Sequence, residues 1–351
     1  MIWPGIMLIT GGLGGAAGIP VDKRAMTRPA KRTTSTDVAR AAGVSQTTVS
    51  FVLNDKPGYS IPEATRLRIL EVARELDYRP HASARALAAG RSDVVLLSVP
   101  DLPIGSGISR FIEEMAAALA DEGLTLVTHL AGAHGRPLAD VCATVNAATV
   151  VGLSSFDEET VQALYRAGAN AVLPSGERHS AAAAAIPVGC LQAEYLAGQG
   201  HRRIGYAMPA HQGLREMAEG RLAGVAAACA AAGLEQPVVL STNLDIAEAS
   251  AAVEQWASRS VTGVCAFNDE TAIAVLAGMR AHGLSAPGDL AVIGVDDIPT
   301  ARLAAPPLTT VGIDLRHAGR RRADMIMASL AGREAPRAAP DDWRVVRRSS
   351  A

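Results

Sequence analysis

The apolar and polar positions of the chain fall into two textures. From Thr34 to Leu76 the apolar residues recur at helical spacing in short blocks. Val38, Ala41 and Ala42 are the inward positions of a first helix, which Ser35 or Thr36 is placed to cap. Gly43 permits a sharp turn, Val44 plugs it, and Ser45 caps a second helix over residues 46–53. Val49, Val52 and Leu53 should face the core of this unit, with Gln46, Thr47, Ser50 and Phe51 outward. Pro62 and Glu63 open a third helix, whose Leu67, Leu70, Val72, Ala73 and Leu76 are expected beneath the other two.

From Val94 the pattern changes. Apolar runs at 94–99, 124–130, 150–153, 171–173, 204–208, 238–240, 264–267 and 290–295 alternate with amphipathic stretches at 108–122, 158–167, 214–232 and 269–282. Such alternation predicts parallel sheets covered by helices on both faces. The chain therefore reads as a small all-α head followed by an α/β body.

The first 21 residues are apolar but are broken by Pro4 and six glycines. Gly12-x-Gly14-x-x-Ala17 has the spacing of a dinucleotide-binding turn, which requires a helix starting at the glycines so that its N-terminus meets a pyrophosphate. Gly18 and Pro20 stop any such helix. Residues 1–32 are read as a disordered tail and not as a cofactor site. The segment lacks a basic n-region, so it is a poor signal peptide, and no apolar run reaches the roughly 18 residues of a membrane span.

Charge adds a second contrast. Residues 21–92 hold 13 Lys and Arg against 7 Asp and Glu, a net of +6, while the remainder carries −8. A basic head on an acidic body points to an anionic partner for the head alone. Aromatics are only 3%, so the core must be aliphatic. Cys142, Cys190, Cys229 and Cys265 are scattered through apolar stretches, with no metal-ligand or disulfide spacing, which fits a reducing cytoplasm. No nucleophile motif or paired catalytic carboxylates stand in context, so neither an enzyme nor a metal or other cofactor is expected. A solute-binding protein for transport would account for the body but not for the head.

The 36–54 stretch, Thr-Asp-Val-Ala-Arg-Ala-Ala-Gly-Val-Ser-Gln-Thr-Thr-Val-Ser-Phe-Val-Leu-Asn, closely resembles the head of the lactose-repressor (LacI) family. So does the 76–92 stretch, Leu-Asp-Tyr-Arg-Pro-His-Ala-Ser-Ala-Arg-Ala-Leu-Ala-Ala-Gly-Arg-Ser. The resemblance implies a helix-turn-helix DNA-binding domain over 33–80 and a hinge over 81–92. It implies that Gln46 and Thr47 read base edges in the major groove, while Thr34, Ser45, Thr48, Ser50 and Asn54 bond phosphates or brace the helix. Phe51 stands where the family usually has arginine; it lacks the fork for guanine and is left to touch a thymine methyl or to pack. In the hinge, His81, Ala84 and Leu87 would meet DNA, with Leu87 of each subunit wedged into the minor groove at the operator centre. The protein would act in the cytoplasm, on the nucleoid, as a homodimeric repressor on a palindromic operator in double-stranded DNA.

The body carries further family stretches at 200–204, 220–224, 267–269, 292–298, 306–311 and 345–350, in a half that is similar to periplasmic sugar-binding proteins of the type I fold. The resemblance implies two lobes over 93–351: one from about 93–186 plus 315–341, the other from about 187–314 plus 342–351. A small-molecule effector, a sugar or nucleoside, would sit between them. Arg221, Asn268 and Asp296 map onto the effector contacts, offering a donor fork, a mixed group and an acceptor. The first lobe departs from the family. Leu102-Pro103-Ile104-Gly105-Ser106-Gly107 replaces a segment that usually carries aromatics, and Ala185 stands where an aspartate is usual. Aromatic platforms for a sugar are thus expected to be scarce.

Overall fold

The computed structural model describes residues 33–53, 60–78, 92–131, 135–174, 181–333 and 342–351. The expected tail at 1–32, Asn54, and the hinge residues His81, Ala84 and Leu87 lie outside the described residues. The chain divides into two units, residues 1–85 and 86–351.

The head is built from α1 (Ser35–Ala42), α2 (Gln46–Leu53) and α3 (Glu63–Glu75). Its core consists of Val38, Ala39, Ala42, Val49, Val52, Ile69 and Ala73, with Val44, Leu53, Val72 and Tyr78 packed against it. Three expectations need correction. The cap of α1 is Thr34, not Ser35 or Thr36: its hydroxyl accepts from the Asp37 amide while the Asp37 carboxylate reaches back to the Thr34 amide. From that start the inward stripe takes Ala39 and leaves Ala41 exposed. On α3 the buried positions are Ile69 and Ala73, one turn apart. At 100° per residue Leu67 falls about 160° from Ile69. Leu67, Leu70 and Leu76 are accordingly exposed.

The body starts with β1 (Val94–Val99), α4 (Ser106–Asp121), β2 (Thr125–Leu130), α5 (Leu138–Val145), β3 (Thr149–Gly152), α6 (Glu158–Arg166) and β4 (Ala171–Leu173). Their four strands form a parallel sheet in the order β2-β1-β3-β4. Alternation along β1 separates its two faces. Leu96 packs with Cys142, Val150 and Leu164 under α5 and α6, whereas Val95, Leu97 and Val99 pack with Met115 and Leu119 of α4. The second lobe contains α7 (Ala181–Gly198), β5 (Ile204–Pro209), α8 (Arg215–Ala231), β6 (Val238–Thr242), α9 (Ile246–Ser258), β7 (Gly263–Ala266), α10 (Asp269–Ala281), β8 (Ala291–Val295) and β9 (Thr309–Gly312). The chain returns to the first lobe as α11 (Leu315–Leu330), whose Ala323 and Ile326 join the α4 core. It ends as β10 (Arg344–Val346), antiparallel to β9 in a six-stranded sheet of order β10-β9-β8-β7-β5-β6.

The lobe change expected between Ile186 and Pro187 is not there. Both residues lie inside α7, which packs along α8 as one helix of the second lobe. Three glycines permit this approach. A Cβ at Gly189 would lie 1.8 Å from the Arg221 carbonyl oxygen, one at Gly220 2.1 Å from that of Ala182, and one at Gly224 2.0 Å from that of Ile186. The helix is also pinned to the sheet, because the buried Gln192 amide donates to the carbonyls of Ala266 (2.8 Å) and Ile293 (3.2 Å). Among the described residues, no helix is long and apolar enough to cross a membrane.

Because the atom that a methyl group at Gly189 would strike is backbone, α7 and α8 must separate to admit it. Gly189→Ala is expected to cost about 3 kcal/mol or more, at the upper end of overpacking substitutions. Gly198→Ala, where a Cβ meets nothing within 4 Å, serves as the control. Urea unfolding of the two variants should show a lowered midpoint for the first alone.

Candidate DNA-reading head and effector cleft

In the head, Gly43 ends α1 in the left-handed region at φ 66°, and its neighbour Val44 donates to the Ala39 carbonyl at 3.0 Å. The chain thereby turns into α2 within three residues. Ser45 starts α2: its hydroxyl accepts from the Thr48 amide at 3.1 Å and bonds the Thr48 hydroxyl at 2.8 Å. The exposed Gln46 reaches back across the turn, its amide donating to the Ser35 hydroxyl at 2.8 Å. Thr47 is exposed beside it, and Ser50 and Phe51 are half-buried. The N-terminal turn of α2 therefore presents a row of small polar groups whose geometry is set from behind. Thr34 is engaged in its own cap. The role of Ser35 in holding Gln46 was not read from the sequence; an outward serine at the start of the preceding helix was the available signal.

In the body, a cleft of about 410 Å³ opens between the lobes at the C-terminal ends of the strands. Arg221 projects from α8 and is 5% exposed. Its guanidinium donates to the Phe267 carbonyl, lies 4.5 Å from the Phe267 ring centroid, and approaches Asp296 Oδ1 at 3.7 Å. Its Nε is buried and has no hydrogen-bond partner among the described residues. Asp296 follows β8 at φ 105°, a conformation that side chains rarely adopt, and its amide donates to the Val311 carbonyl at 2.8 Å. Burial pushes its carboxyl above the usual range, and the Arg221 guanidinium opposes that shift.

The third member of the expected trio is engaged elsewhere. Asn268 caps α10, its Oδ1 accepting from the Thr271 amide (2.9 Å) and hydroxyl (2.8 Å), while its Nδ2 donates to Glu270 Oε2 at 3.2 Å. It lines the cleft but has spent its acceptor. Glu270, two residues on, lines the cleft as well and was not anticipated. The scarcity of aromatics also needs correction, since Phe111, Phe267 and Trp343 come into the wall from distant parts of the chain.

Lobe 1 meets these carboxylates through glycine. A Cβ at Gly105 would stand 2.8 Å from Glu270 Oε2, and one at Gly107 3.1 Å from the Asp296 carboxyl carbon. A Cβ at Gly213 would stand 1.8 Å from the Asp101 carbonyl oxygen. The first turn of α4 thus lies against two acids of the other lobe, at a distance that only glycine allows.

Residues 34–81 match the family described as bacterial regulatory proteins, lacI family, and residues 193–351 match the periplasmic binding protein-like domain. The transcriptional regulator GalR of Escherichia coli is 29% identical over 316 residues, 86% of this chain and 90% of GalR. The lac repressor dimer bound to operator and the anti-inducer ONPF has the same fold, with TM-score 0.69 at 21% identity over 91% of this chain and 99% of that one. The regulator CelR in complex with cellobiose has TM-score 0.63 at 27% identity, over 91% and 100% of the two chains.

The chain carries a lacI-family DNA-binding domain and a periplasmic binding protein-like domain.

Its relatives are transcriptional regulators and not enzymes. Gln46 and Thr47 fall inside the matched head, and Arg221, Asn268 and Asp296 inside the matched body; the body match does not extend to residues 92–174 of the first lobe.

One acid below the cleft floor is structural. Asp269 is fully buried, with Oδ1 accepting from the Thr310 hydroxyl at 2.5 Å and Oδ2 from the Ile298 amide at 2.9 Å. Burial pushes its carboxyl up to about 7, opposed by those two hydrogen bonds and reinforced by the charges of Asp296 and Asp297. A raised folded-state value means that the folded protein holds the proton more tightly than the unfolded chain. Its stabilising contribution is complete below the ordinary carboxyl range and is lost as pH rises through about 7. Asp269→Asn should therefore cost stability at pH 4 and progressively less towards pH 8. The difference from wild type should change by about 1–4 kcal/mol in chemical unfolding.

Proposed function

We propose that the protein is a homodimeric repressor that binds a palindromic operator, acts in the cytoplasm on the nucleoid, and responds to a small-molecule effector in the interlobe cleft. The observation that carries this reading is the exposed N-terminal turn of α2, where Gln46 is fixed by Ser35 and Ser45 by Thr48. An eight-residue helix spans one half-site only, so a second copy is needed for an operator of ordinary length. The lac repressor structure, a dimer bound to operator, supports the same assembly. Thr34, Ser45, Thr48, Ser50 and Asn54 are the phosphate-contacting or bracing set, and His81, Ala84 and Leu87 form the minor-groove element.

For the effector, a sugar or nucleoside is read from Arg221 and Asp296, a donor fork beside an acceptor, with Asn268 contributing only its amide edge. The cellobiose in the CelR complex is a ligand of that class. Binding between lobes that touch at Gly105, Gly107 and Gly213 would alter their closure and hence the spacing of the two heads.

Selection from random duplex DNA should enrich a short palindrome, and affinity for it should fall steeply as salt rises, by several powers of ten between low and physiological ionic strength. Recovery of no palindrome, or salt-independent binding, would count against the regulator reading.

Phe51 provides a finer test. Phe51→Arg restores a donor fork and should move the preferred base at one position of each half-site towards guanine, by about 1–3 kcal/mol of discrimination. The same selection performed on the variant reads the change directly.

A further inference from the structure

A second cavity, of about 360 Å³, lies on the first lobe at the C-terminal ends of β1 and β2 and shares Pro100 and Ser154 with the cleft. Its floor holds two polar groups without partners. Ser98 of β1 is 8% exposed and has no side-chain hydrogen bond among the described residues. His129 of β2 is its partner in the strand register, so both side chains stand on the sheet face that carries Leu96 and Val127. The His129 Nε2–H donates to the Arg136 carbonyl at 3.0 Å, so in the neutral ring Nδ1 is the acceptor. That Nδ1 is buried and unpartnered among the described residues.

The wall opposite is cationic in character. α5 begins at this cavity with Pro137 as its N-cap residue and no side-chain cap, so the amides that open the helix face the space beside Leu138. The Arg136 side chain is exposed at the rim, holding the Thr144 hydroxyl through one Nη at 3.3 Å and leaving its other donors available. Asp140, in the first turn of α5, is the nearby acid on that helix, and it is exposed.

We propose that this cavity is a phosphate subsite, which receives the phosphate of a monoester effector whose remaining part lies in the cleft. The group fits because it carries both kinds of partner. A P–OH donates to His129 Nδ1 where the ring is neutral, a phosphate oxygen accepts from it where the ring is charged, and the other oxygens accept from the Ser98 hydroxyl, the Arg136 guanidinium and the opening amides of α5. A carboxylate has no hydroxyl for the Nδ1 of a neutral ring and fewer oxygens for the donors around it, and a sugar hydroxyl has no charge for Arg136 and the helix end. The subsite extends the effector reading to a phosphorylated ligand, and it rests on the cleft being the effector site.

Isothermal titration of the full chain, at fixed ionic strength, tests the subsite with inorganic phosphate and with a panel of sugar and nucleoside monophosphates beside their unphosphorylated parents. At least one monoester should bind tenfold or more tightly than its parent. Arg136→Gln and Ser98→Ala should each remove most of that advantage while retaining the wild-type unfolding midpoint. Displacement of the His129 ring resonances on titration of inorganic phosphate would support the phosphate chemistry independently of the ester body. Equal affinity for esters and parents, or phosphate binding unaltered in both variants, would overturn the subsite. Operator binding without ligand separates the two readings: if the palindrome is bound and no phosphate compound is, only the subsite fails. If no palindrome is bound, the regulator reading fails whatever the titrations show.

Discussion

The architecture of the cleft depends on the contact between α7 and α8. Gly189, Gly220 and Gly224 let the two helices meet at backbone distance, and the carbonyl that Gly189 faces belongs to Arg221. The arginine is thereby set at a fixed height above the sheet, where its guanidinium meets the Phe267 carbonyl and ring and the Asp296 carboxylate. An unpaired buried cation would be costly, so these three neighbours are a condition of its presence. Gly294 follows the same logic on the other side of the sheet: a Cβ there would stand 2.2 Å from Asp269 Oδ1, so the strand must be bare where the buried acid passes. Asp269 in turn holds the Ile298 amide and the Thr310 hydroxyl, and so shapes the loop that carries Asp296 and Asp297.

Closure of the lobes uses the same device in a weaker form. Gly105, Gly107 and Gly213 are the points where one lobe touches the other, and Arg110 adds a long hydrogen bond to the Asp297 carbonyl at 3.3 Å. Asp297 is itself held by Arg348 and lies 3.7 Å from Arg302, so the lobe 2 side of this contact is braced by cations. At these points the interface is made of backbone and charge. The apolar part of the cleft, Phe111, Ile108 and Leu153 from lobe 1, faces Phe267 and Ile298 from lobe 2 and gains most when a ligand fills the space between them.

What the sequence revealed and what it hid follow from the range of the forces involved. The strands of both lobes were legible because buried parallel strands are nearly continuous apolar runs, as in Val94–Val99 and Ala291–Val295. α7 was not, because a row of alanines followed by Pro187 has no apolar stripe to read; what makes it a helix is α8 beneath it. β9 and β10 escaped for a related reason: three or four residues gain strand identity only from pairing with distant chain, β9 with β8 and β10 with β9. Arg221 and Asp296 line the cleft where the resemblance placed them. Asn268 lines the cleft and is also the cap of α10, a local role that an asparagine before Asp269-Glu270 suits and that was not read from the sequence. The exposed leucines of α3 show the limit of counting apolar residues without phase: Ile69 lies between Leu67 and Leu70, and only one face of the helix meets α1 and α2.

The head shows how a helix with poor intrinsic propensity is made dependable. α2 reads Gln-Thr-Thr-Val-Ser-Phe-Val-Leu, with four β-branched residues in eight, and would not persist alone. Two buried valines, Val49 and Val52, attach it to α1 and α3, and the Ser45–Thr48 bonds satisfy its first turn. The same residues that weaken it as a helix serve its surface. Threonine and serine are short, so the backbone of α2 can approach a phosphate closely, and their hydroxyls accept or donate as the partner demands. A longer, alanine-rich helix would be more stable and would present fewer polar groups to a groove. The tertiary contacts of α1 and α3 supply what the sequence of α2 gives up, and the head is therefore only as ordered as its seven-residue core.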